Sequence, residues 1–229
     1  LPVIPIEVVQ RAAAIAAGGV PRDPFLGISV TANSPNYQNP RSFQTGLGAD
    51  LEIVKDLLVG AQFNYVNTVN LQRNVDVNLP FPTVRAADGR PIYNRANRPI
   101  PTLQTVTLRD SSARSLYRGA TFQAQYRKKR LQFNAFYSVS ETFSDDDNER
   151  NAGGFVYDNV FNLKPEFSYS DLDARHQFTS SALVNLPWGF DVSGTVRART
   201  GYPMNPRTGA DTNGDNSNTD RAYQAVGQV

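Results

Sequence analysis

The residues spaced for chemistry lie near the end of the chain, in Asp211-Thr-Asn213-Gly-Asp215-Asn-Ser-Asn-Thr-Asp220. Asp211, Asn213 and Asp215 stand at positions one, three and five of a loop. At that spacing alternate side-chain oxygens converge on a hard cation such as calcium. Two positions depart from the pattern: Asn216 stands where a calcium loop has its turn glycine, and Ala222 where it has a bidentate glutamate. Asp220 is the candidate fourth ligand. The first reading is a polar loop tip rich in turn residues, and a calcium site is the second. A second acidic group, Asp145, Asp146, Asp147 and Glu149, reads first as a solvated loop and only second as a cation site.

Other chemistry finds less support. His176 is the only histidine, and the chain has no cysteine. A thiol nucleophile, a cysteine metal site and a disulfide framework are therefore excluded. His176 reads as a rim residue at the start of a strand. Asp50 and Glu52 could pair for acid–base work, but they share a polar face with Arg197 and Arg199 and read as part of it. No residue is assigned catalysis, the chain is not expected to be an enzyme, and no cofactor is expected, calcium in the tail loop being the one candidate. Basic residues are scattered and formal net charge is +2, so no nucleic-acid stripe exists.

These residues must be positioned by strands. Phe190, Val192, Gly194, Val196 and Ala198 form one face, and Asp191, Ser193, Thr195, Arg197 and Arg199 the other. A period of two is a strand signal, because successive side chains of a strand point to opposite faces. Six such stretches occur, in pairs covering 41–70, 115–143 and 173–201. Within a pair the turn is tight: Lys55-Asp56, Lys128-Lys129-Arg130 and Pro187-Trp188. Between pairs the connections 71–114 and 144–172 are long and polar, and 202–220 follows as a third loop. Pro80, Pro82, Pro91, Pro99 and Pro101 argue against a central strand in 71–114, although Asp88-Gly89 marks a short hairpin near Ala86 to Tyr93. Residues 1–40 read as loop, with a short helix over Ile6 to Ala17 and a short strand over Phe25 to Ala32.

Mean hydropathy is −0.43, and no stretch approaches the roughly 18 apolar residues of a membrane helix. A barrel strand needs only alternate residues apolar, so a membrane sheet remains open. The stretches run to about twelve residues, close to the nine to eleven of a tilted membrane strand and longer than soluble strands. Aromatics flank them at both ends: Tyr126, Phe133, Trp188 and Phe190 on the turn side, Tyr117, Phe143, Phe178 and Tyr202 on the loop side. That placement fits two interfacial girdles. The expected fold is all-β, an antiparallel transmembrane β-barrel segment of about six long strands in three hairpins, with long extracellular loops. Lys55, Lys128, Lys129 and Arg130 would then cluster at the periplasmic end.

The order of several motifs resembles the C-terminal barrel of TonB-dependent outer-membrane receptors, in particular the Oar-like proteins. They are Tyr37-Gln-Asn-Pro-Arg-Ser-Phe-Gln44, Asp173-Ala-Arg-His-Gln-Phe178, Leu186-Pro-Trp-Gly-Phe190, Arg199-Thr-Gly-Tyr-Pro-Met-Asn205 and Asp211-Thr-Asn-Gly-Asp215. The resemblance spans about residues 37 to 221. It implies a plugged 22-stranded barrel, energised through a TonB-type protein, that imports a large or scarce solute. Six strands cannot close a barrel of eight, so the chain is expected to be a fragment. Its expected partners are outer-membrane lipid, the remainder of the barrel, a plug domain, and the TonB-type protein through an N-terminal part outside this chain. A passive porin-like barrel and a surface β-protein that binds carbohydrate or acts as an adhesin remain as alternatives.

Overall fold

The computed structural model describes residues 27–147 and 157–222. In chain order the strands are β1 (Ile28–Asn33), β2 (Arg41–Val54), β3 (Leu57–Asp76), β4 (Val84–Arg85), β5 (Pro91–Ile92), β6 (Leu103–Lys128), β7 (Leu131–Ser144), β8 (Ser168–Tyr169), β9 (His176–Asn185) and β10 (Asp191–Arg199). Six of them form one antiparallel meander in the order β2-β3-β6-β7-β9-β10. The expected helix over Ile6 to Ala17 lies outside the described residues. The strand expected over Phe25 to Ala32 is β1, which pairs parallel with the start of β6.

The cross-strand register keeps the two faces distinct. On one face Leu47 lies opposite Phe63, Phe63 opposite Ala120, and Ala120 opposite Val139. On the other, Gln62 meets Thr121, Thr121 meets Ser138, and Ser138 meets Gln177. The apolar face is bare: Phe43 is 64% exposed, Leu47 79% and Val196 59%. In a soluble sandwich that face would be the packed core. Here no second sheet covers it among the described residues, and lipid is the solvent that suits it.

The turns explain the hairpins. Asp56 takes the left-handed conformation in its two-residue turn, at φ 72°, and Glu52 accepts the Asp56 backbone N–H at 3.1 Å. Pro187–Gly189 is a tight turn in which Trp188 takes the left-handed conformation, at φ 67°, and a hydrogen bond from the Leu186 N–H to the Phe190 carbonyl closes it. It pushes Trp188 out to 89% exposure, where an interfacial aromatic belongs.

At the loop side the structure differs from the sequence expectation. Segment 71–114 is not loop throughout: β3 runs on to Asp76 and β6 begins at Leu103. The five prolines that argued for a loop all fall between these ends. The hairpin at Asp88-Gly89 is present as β4 and β5, with Gly89 at φ 87°. β6 has 26 residues, which at about 3.3 Å per residue is roughly 85 Å, far more than a bilayer needs. The surplus stands beyond the apolar band. The buried apolar side chains gather there: Leu71, Leu79, Tyr93, Leu103, Val106 and Tyr157. The packed core therefore lies in a cap at the loop side.

Candidate functional site

The cap is built from three connections. Asp145 joins the first two: it takes a 2.7 Å ion pair from Arg73 of β3, both side chains buried, and accepts the Arg114 backbone N–H at 2.7 Å. Asp146 accepts from the Tyr157 hydroxyl at 2.6 Å, and Asp147 accepts from Ser170 Oγ at 2.8 Å and the Asp171 N–H at 2.7 Å. Each carboxylate of the acidic run thus holds protein groups. Glu149 lies outside the described residues.

The tail after β10 folds back as the third connection. The Tyr93 N–H donates to the Asn213 carbonyl at 2.7 Å, and the Tyr93 hydroxyl to the Asp158 carbonyl at 3.0 Å. Arg90 donates to Thr212 Oγ1 and, at 3.1 Å, to the Arg221 carbonyl, while Asp88 clamps its guanidinium from the side at 2.8 and 3.0 Å. Arg221 pairs with Glu166. Burial raises the Glu166 carboxyl above its ordinary value, and Arg221 offsets part of that shift.

The four residues proposed as calcium ligands fall within this tail, three of them buried. Asn213 is 0% exposed and Asp220 1%, Asp215 is also buried, and Asp211 is at the surface. Asp211 accepts the Gly214 N–H at 2.6 Å and the Asn216 N–H at 2.8 Å. Asn213 Oδ1 accepts the Asp215 N–H at 2.9 Å, and Asp215 Oδ1 the Ser217 N–H at 2.7 Å. Asp220 Oδ2 accepts from the Thr212 N–H at 2.5 Å, the Thr212 hydroxyl at 2.5 Å and the Asn213 N–H at 3.0 Å. Asp220 Oδ1 is buried and has no hydrogen-bond partner among the described residues.

Burial pushes the Asp215 carboxyl up to about 7, and the nearby Asp220 and Asp211 carboxylates add to the rise. Among the described residues no group of three or more His, Cys, Asp or Glu side chains is poised to hold a metal ion. The buried oxygens of the tail come from two carboxylates and an amide.

The other candidates are spread over the sheet. His176 lies at the loop-side rim of the apolar face, its Nδ1 2.8 Å from the Tyr137 hydroxyl. Asp50 accepts from Gln123 Nε2 at 2.6 Å on the polar face, two strands away across Gly60. Arg199 binds and stacks on Tyr202. Nothing brings Asp50, Glu52, Arg197 and Arg199 to one point. Arg90, Thr212 and Tyr93, which hold the tail loop, carry no local signal in the sequence. Arg90 and Thr212 are 122 positions apart.

The chain matches, over residues 4–229, the family model described as an outer membrane beta barrel domain. No curated protein and no solved structure matches it.

Proposed function

The chain belongs to the outer-membrane β-barrel family, and from that premise we propose that it forms part of the wall of a TonB-dependent receptor importing a large or scarce solute. Its place is the outer membrane, with the apolar band against lipid. Its short turns then face the periplasm and its cap the outside.

The ordered cap carries the proposal. A passive pore needs an open mouth and gains little from 26-residue strands, buried ion pairs and a tail folded back over the loops. A receptor that captures scarce solute needs a shaped and rigid outer surface, because rigidity lowers the ordering cost of binding. The motifs that resemble Oar-like receptors supply the coupling partner, a TonB-type protein acting through a plug. The wall is assigned no catalytic role.

A passive porin is the second reading, favoured by the Gln62, Thr121, Ser138 and Gln177 row that would line a water-filled lumen. Planar-bilayer recording of the intact protein separates the two. A plugged receptor gives no steady conductance in molar potassium chloride. A stable ohmic pore would sink the receptor reading.

A further inference from the structure

We propose that the tail loop Asp211–Asp220 is a calcium site on the outer side of the barrel, and that the ion locks the cap. The first observation is the spacing of Asp211, Asn213, Asp215 and Asp220. The second is independent of it. Asp220 is 1% exposed, and its Oδ2 is tied to the Thr212 and Asn213 backbone, so the carboxylate is directed into the loop. Its Oδ1 nevertheless has no hydrogen-bond partner among the described residues. A buried charged oxygen without a partner is costly unless something compensates it.

The cations beside the loop are shared with other groups. Arg90 Nη1 stands 3.9 Å from Asp220 Oδ2, and its guanidinium is shared with Asp88, Thr212 and the Arg221 carbonyl. Arg95 acts on Asp211 and Asp215.

The turn also meets the geometric demand of a calcium loop. Asn216, at position six, has φ 71°, the conformation for which such loops use glycine. Its N–H donates to the position-one carboxylate, Asp211. Calcium accepts six to eight oxygens drawn from carboxylates, amides, backbone carbonyls and water. Asp220, Asp215 and Asn213 supply the buried ones, and Asp211 the exposed one. Three carboxylates, one of them exposed, and an amide suit a weak site of the extracellular kind, with a Kd of about 10⁻⁴–10⁻³ M. Asn213 is tied to Tyr93 through its carbonyl, and Arg221, next to Asp220, is tied to Glu166. An ion in the loop thus joins the tail to both other connections. This site does not depend on whether the barrel is a receptor or a porin.

The test uses the intact outer-membrane protein in detergent, stripped with chelator and titrated with calcium chloride in a calorimeter. One site per chain is expected. Asp220→Asn should weaken it by roughly tenfold or more, as loss of a charge-assisted contact does, whereas Asp147→Asn should not alter it. Limited proteolysis of the unmutated protein gives a readout independent of any variant: calcium, and not magnesium, slows cleavage of the loop side several-fold. Absence of both heat and protection overturns the site. So does equal protection by magnesium, or a folded Asp220→Asn protein that binds as before.

Discussion

Gly214 shows how closely the tail loop is fitted to the cap. Its φ is +81°, and a Cβ built on it would stand 2.6 Å from the backbone carbonyl oxygen of Tyr93. A side chain there meets both a left-handed conformation and a backbone atom that cannot rotate away. Gly214→Ala is expected to cost about 1–3 kcal/mol. Because its neighbour Asn213 accepts the Tyr93 N–H, the loss falls on the tail–cap contact. Protease should cut the loop side about ten times faster or more, while the barrel still runs as a folded band on a heat-modifiability gel. Unchanged cleavage would show that the Tyr93 contact does not hold the tail. Asn216 carries a related lesson. By residue type it departs from the calcium pattern, yet asparagine tolerates the left-handed region with little penalty. Its φ of 71° keeps the turn that glycine would have made.

Among the elements, β3 and β6 each serve as membrane strand and as post for the cap. The change occurs where their pairing slips, between Val69 and Leu71 and again between Leu71 and Arg73, beside Asn70 at φ 61°. Bulges rephase the side chains, so Leu71 is buried opposite Ala113 whereas Val69 faces out. The six strands and their turns were legible because a period of two is local information. The extensions 71–76 and 103–114 were not, because bulges break the alternation there and the neighbouring prolines mislead. The cap was invisible for a different reason: Arg73 and Asp145 are 72 positions apart, and Arg221 and Glu166 55. No pattern within a window reports such pairs. Asp145→Ala leaves the Arg73 guanidinium buried without its anion, at a cost of about 3–5 kcal/mol. Replacing both with apolar residues of similar volume, Arg73→Met with Asp145→Leu, should recover most of that loss. Hydrogen exchange of the β3 and β6 amides beyond the bulges measures both. A double variant as weak as the single one would mean that Asp145 acts chiefly through the Arg114 N–H.

For the whole molecule, the sheet is a wall between two solvents, and that assignment makes opposite demands on neighbouring residues. Leu47 and Gln62 sit on adjacent strands near the middle of the β2–β3 pair but on opposite faces: Leu47 meets Phe63 and Gln62 meets Gly48. Leu47 is 79% exposed. In water so exposed a leucine could become arginine at almost no cost. Against lipid near the bilayer midplane the same change costs about 2–4 kcal/mol. Gln62 faces the polar row with Asn64 and Thr121, so Gln62→Arg should stay within about 0.5 kcal/mol. Urea titration of the intact protein folding reversibly into lipid vesicles measures both. The expected result is a large loss for Leu47→Arg and a small one for Gln62→Arg. Equal, small losses would mean that neither face meets hydrocarbon. A reversed order would put the lumen on the leucine side and the polar face that carries Asp50, Arg197 and Arg199 against lipid.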